Sequence, residues 1–194
     1  MSDITPSQTV GPYFAIALTP SGYDWQPTIG NNLVTPDASG ERIALEGRVL
    51  DGDAKPVDDA MLEIWQADAA GRYAHPADVR ANPNAAFKGF GRAGTDEQGR
   101  YRFDTIKPGA VPGPNGLQAP HIVLAVFARG MLRQGYTRVY FSDEKANATD
   151  PILGVVPRDR RATLIAARED GGANAVYRFD IRLQGENETV FFDV

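Results

Sequence analysis

Residues 107–129, KPGAVPGPNGLQAPHIVLAVFAR, set a Pro/Gly-rich loop directly ahead of a long apolar run, with His121 at the junction. Closely spaced prolines and glycines exclude a helix across the loop. The run from 121 to 128 is apolar on both faces and reads as a strand at the centre of a sandwich, with Arg129 and Gly130 beginning its exit. The start of a strand is a place where a side chain can be aimed and held. His121 is one of only two histidines, the other being His75. Two positions on, where strand alternation returns to the same face, stands Val123, which offers no donor. The strand therefore carries half of a site.

Working outward, residues 43–51 and 61–67 read as strands joined by a turn-rich stretch, and 100–104 alternates charged and aromatic residues as a half-buried strand does. Between them, 68–94 reads as one long loop bearing Tyr73, His75 and Phe87, its GFGRAG included. Further strands are expected at 136–141, 176–183 and 189–192, with a single helical turn at 151–155. Arg158, Arg160 and Arg161 read as a solvated or carboxylate-paired face. The pattern gives about eight strands, no alternation of strand and helix and no internal repeat, which predicts an all-β, antiparallel β-sandwich. Residues 1–40, broken by Pro6, Pro12, Pro20, Pro27 and Pro36, read as an irregular N-terminal arm, and 41–194 as the sandwich domain.

Composition narrows the chemistry. The 194 residues suit one well-buried domain. A net charge of -5 without a basic run argues against nucleic-acid binding. The absence of cysteine removes disulfides, thiolate catalysis and thiolate metal sites. With no apolar run long enough to span a bilayer and no leader pattern, a cytoplasmic location without membrane contact is the expectation.

Among the candidate groups, a phenolate from Tyr73 and an imidazole from His121 would suit ferric iron, but two ligands do not hold it. A buried, hydrogen-bonded histidine is the competing reading of His121, and His75 reads as exposed. No nucleophile elbow or phosphate-cradling motif is present. The carboxylates of Asp58, Asp59, Glu63 and Asp68 read as ordinarily solvated. Arg129, at the end of a central strand, could present its planar fork to a ligand carboxylate or form an ion pair within the chain.

PSQTVGPY near the N-terminus, LEIWQADAAGRY, FKGFGRAGTDEQGRYRF, TIKPG, APHI and RFDIRLQGENETVFFD together resemble the intradiol ring-cleavage dioxygenases over nearly the whole chain. In that family two tyrosines and two histidines bind a non-haem Fe(III). Tyr73 and His121 match one of each. Val111 and Val123 stand at the other two positions, and Gln118 at that of an arginine. The resemblance is thus to the non-iron, alpha-type chain of the family's two-chain enzymes, and it implies a hetero-oligomer with a beta chain that binds the Fe(III), no metal being expected here. The implied reaction is cleavage of 3,4-dihydroxybenzoate by O2 to 3-carboxy-cis,cis-muconate. Thr9, Gly11, Pro12, Tyr13 and Arg129 match residues that line the partner's substrate pocket. The rival readings are a self-sufficient intradiol enzyme of other specificity, drawing oxygen ligands from Tyr136 or Tyr140, and a non-enzymatic β-sandwich binding module.

Overall fold

The computed structural model describes residues 17–20, 26–80, 86–169 and 172–193. Its strands are β1 (Arg42–Leu50), β2 (Met61–Gln66), β3 (Phe90–Gly94), β4 (Arg100–Ile106), β5 (Val111–Gly113), β6 (Gly116–Gln118), β7 (His121–Phe127), β8 (Gly135–Phe141), β9 (Ile165–Glu169), β10 (Ala175–Arg178) and β11 (Ile181–Arg182). One helical turn, α1 (Pro151–Val155), and two short 3-10 turns interrupt them. The described chain is all-β, and no described helix is long and apolar enough to cross a membrane.

Two layers enclose one core. Ile43, Leu45 and Val49 of β1, Phe103 of β4 and Tyr177 of β10 face Leu62 and Ile64 of β2, Ile122, Leu124 and Val126 of β7, and Val139 and Phe141 of β8. The layers are nevertheless not separate sheets. Along one edge β9 pairs antiparallel with β10 and parallel with β8, so hydrogen bonding runs unbroken from β1 to β3. At the other edge residues 30–33 stitch β3 to β4: Arg92 N donates to Gly30 O, Asp104 N to Asn31 O, and Leu33 N to Asp104 O. The result is a nearly closed sheet. It is also mixed, since β1 pairs parallel with both β10 and β11. Parallel neighbours need a long crossover, and the chain between β8 and β9 supplies one through α1.

Several expected elements differ. Residues 90–94 form a strand despite their glycines, because a Cβ on Gly91 would come within 2.5 Å of Leu33 where the arm crosses it. The loop ahead of His121 contains a small hairpin, β5–β6. The strand expected at 176–183 is broken after Arg178, and residues 189–192 hydrogen-bond to Arg182 and Tyr136 without forming a strand. Arg160 and Arg161 pair with no carboxylate among the described residues. They donate instead to the carbonyls of Glu188, Gly154 and Val156, so the latter guanidinium caps α1.

Strand β7 positions the site. Ile122, Leu124 and Val126 are fully buried, whereas Val123, Ala125 and Phe127 are half-buried on the outer face. Only one face of β7 therefore belongs to the core. His121 begins the other.

Candidate functional site

The outer face of β7 and its neighbours gathers the candidate residues through strand register. Val123 lies opposite Trp65 of β2 on one side and Arg138 of β8 on the other. His121 lies opposite Tyr140. The Tyr73 ring stacks on Trp65 with centroids 5.8 Å apart and planes within 14°. On the opposite side, Arg138 Nη1 donates to Gln118 Oε1 at 2.7 Å, and Gln118 pairs in the β5–β6 hairpin with Val111. Contact by contact, Tyr73, Trp65, Val123, Arg138, Gln118 and Val111 form one continuous locus at the His121 end of the sheet.

Each group there is held. His121 is 3% exposed, and its Nδ1 lies 2.7 Å from Ala119 O, which fixes the proton on Nδ1 and leaves Nε2 as an acceptor. Burial pushes the imidazole down to about 4; Arg138 acts in the same direction, against the Ala119 hydrogen bond and Asp150. His121 is thus neutral near pH 7. Burial also raises the Tyr73 phenol above its ordinary value, with the Arg138 charge opposing it. The Tyr73 amide donates to Asp78 Oδ2 at 2.8 Å, closing the turn that carries the ring. His75 is exposed, edge-on to Trp65.

Asp150 ties the locus together. Its Oδ1 accepts from the Tyr140 hydroxyl at 3.0 Å and from the amides of Ile152 and Leu153, and its Oδ2 accepts from Ala119 N at 2.7 Å. One buried carboxylate thereby caps α1, anchors the residue that fixes the His121 tautomer, and engages the Tyr140 hydroxyl. Burial, then Asp150, raises the Tyr140 phenol.

The donor set does not fit a ferric ion. Tyr73 and His121 supply one oxygen and one nitrogen, Val111 and Val123 are aliphatic, and the Tyr140 hydroxyl is engaged by Asp150. Among the described residues no three His, Cys, Asp or Glu side chains converge on a point. A guanidinium, moreover, stands directly across from Val123.

Arg129 is elsewhere, past the far end of β7, about 25 Å from His121 by strand rise. Its side chain is 72% exposed, 3.2 Å from Asp58 Oδ1 and 3.4 Å from Asp59 Oδ2. Thr9, Gly11, Pro12 and Tyr13 lie outside the described residues. Asp68, read from sequence as solvated, is buried: its Oδ1 accepts from the amides of Ala70 and Arg72 and shapes the loop leading to Tyr73. Sequence reasoning missed Arg138 and Asp150. The first was within reach, since Tyr136, Arg138 and Tyr140 alternate along one strand and share a face.

Two hollows flank these features. A cleft of about 740 Å³ is lined by Trp65, Tyr73, His75, Val79, Phe90 and Pro112 beside the locus. A larger one, about 1020 Å³, follows the β3–β4 seam, where arginines pair with carboxylates, among them Arg92 with Glu63 and Arg102 with Glu46. Among the described residues no histidine lines it.

The structure thus presents an aromatic and imidazole locus at the start of a central strand of an all-β sheet. The dioxygenase family model matches residues 11–185, and the chain belongs to this intradiol family. It is 50% identical over 196 residues to the protocatechuate 3,4-dioxygenase alpha chain of Burkholderia cepacia, covering 98% of this chain and 97% of that one. It is 43% identical over 159 residues to the beta chain from the same organism, covering 77% and 67%. The dioxygenase domain of a dioxygenase carbohydrate-binding protein fusion from Streptomyces sp. SirexAA-E superposes with a TM-score of 0.63 at 27% identity, over 94% of this chain and 99% of that one.

Proposed function

We propose that this chain is the non-iron subunit of a protocatechuate 3,4-dioxygenase, completing the substrate pocket of a beta chain that binds the Fe(III). The observation that supports the reading is that Tyr73, Val111 and Val123 gather at the His121 end of β7; by the family resemblance these four are the ligand positions, and two of them carry no donor. Separate relatives of alpha and beta type support a two-chain assembly. The partner's iron would bind and activate 3,4-dihydroxybenzoate for cleavage by O2 between its hydroxyls. This chain would contribute Arg129 for the carboxylate and, from the arm, Thr9, Gly11, Pro12 and Tyr13 against the ring. In this reading the arm of residues 1–40 packs partly on its own core, through Thr19 beside Gly94, the 30–33 segment that stitches β3 to β4, and Ala38, and partly on the partner. The two layers around a single core retain the character of a sandwich, joined through β9.

The deciding experiment measures iron and visible absorption of the chain purified alone and after co-expression with the beta chain. A colourless chain that enters a coloured, active complex is expected. A coloured chain active by itself would overturn the reading.

A further inference from the structure

We propose that the Arg138 guanidinium takes the place of the metal ion in this chain, a fixed organic cation that closes the locus to Fe(III) and other metal ions even where donor side chains remain. The loss of two ligands leaves a pocket that still offers a phenol and the free Nε2 of a neutral imidazole. Such a pair invites adventitious metal wherever a third donor or water can join it. Arg138 answers that hazard by position. It projects from β8 directly across from Val123, where the missing nitrogen ligand would stand, and shares the outer face with Trp65, His121 and Tyr140. One arm of the fork is fixed on Gln118 Oε1 at 2.7 Å, and the guanidinium lies against the Tyr140 hydroxyl. A guanidinium cannot give up its proton to make room for a metal. A metal ion entering beside it would meet a like charge in a half-buried, weakly screened setting.

The inference rests on the subunit reading only in assigning the iron to the partner. Its test uses the complex with the beta chain and restores the two lost donors, Val111→Tyr and Val123→His, with Arg138 retained or replaced by Arg138→Gln. Metal per complex and Co(II) titration are read beside the visible charge-transfer band. With Arg138 retained, iron stays at one per αβ pair. With Arg138→Gln it rises towards two, and Co(II) binds at least about ten-fold more tightly. Equal affinity in the two backgrounds, or no metal in either, would overturn the inference. If the changes at Val111 prevent assembly, Val123→His with and without Arg138→Gln gives the same comparison from three donors. A wild-type complex without iron would instead count against the subunit reading, whatever Arg138 does.

Discussion

His121 shows how the fold settles a buried imidazole. In the folded chain it is a neutral, buried imidazole whose proton is fixed on Nδ1 by Ala119 O, facing Arg138 on one side and the Asp150–Tyr140 pair on the other. Its folded value of about 4 lies below the ordinary value of 6.5. The unfolded chain therefore binds the proton first as pH falls, and the contribution to stability is fully present above about pH 6.5 and lost on the way down to about 4. The difference amounts to at most about 3–4 kcal/mol, since each unit is worth about 1.4. Urea midpoints for the wild type are expected to fall over that window, and those of His121→Gln to fall much less. Parallel pH curves for the two proteins would show that His121 does not titrate in this way.

At the scale of elements, glycines separate what packing forbids from what it leaves free. In the middle of β1, a Cβ on Gly47 would stand 1.8 Å from Phe179 O and 3.1 Å from the Tyr101 hydroxyl, which itself donates to Phe179 O at 2.6 Å. Here β10 ends and the chain bends before β11 resumes the pairing with β1, and the carbonyl cannot retreat without breaking that bend. Gly47→Ala is expected to cost about 3 kcal/mol or more. Gly154 in α1 has open space around its Cβ position, and Gly154→Ala should add up to about 1 kcal/mol. Denaturant unfolding that ranks the two alike would contradict this account. The same positions explain what was legible in the sequence. β1, β2, β4, β7 and β8 follow apolar periodicity and can be read directly. β3 hides behind two glycines, one of which, Gly91, sits where Leu33 crosses the strand, and the break between β10 and β11 falls where Phe179 O closes on Gly47. Both depend on approaches between distant segments that no local pattern encodes. The site divides in the same way: Tyr73, His121 and the two valines stand in recognisable motifs, whereas the alternation of β8 shows only which face Arg138 takes, and its place across from Val123 follows once β7 and β8 are in register.

Across the whole molecule, the proposed function gives the two ends of β7 separate tasks, and Arg129 is where this can be tested. The guanidinium stands about 25 Å from His121, too far to serve this chain's own locus, and is largely exposed with Asp58 and Asp59 on either side. Exposed pairs of this kind contribute little to stability, so the fold does not need Arg129. The two carboxylates hold the planar fork at the surface, and under the proposed function it would meet an acid presented from another chain. In the assembled enzyme, Arg129→Ala should raise KM for 3,4-dihydroxybenzoate about ten-fold or more, the loss of one charge-assisted contact, with iron content and thermal stability unchanged. Arg129→Lys keeps the charge and loses the bidentate geometry, and should recover only part of the effect. Catechol, which has no carboxylate, serves as the internal control, because its turnover should be no worse in the variant. If KM for the acid does not move, the carboxylate is held elsewhere. If both substrates suffer equally, Arg129 supports the interface between the chains and does not read the substrate.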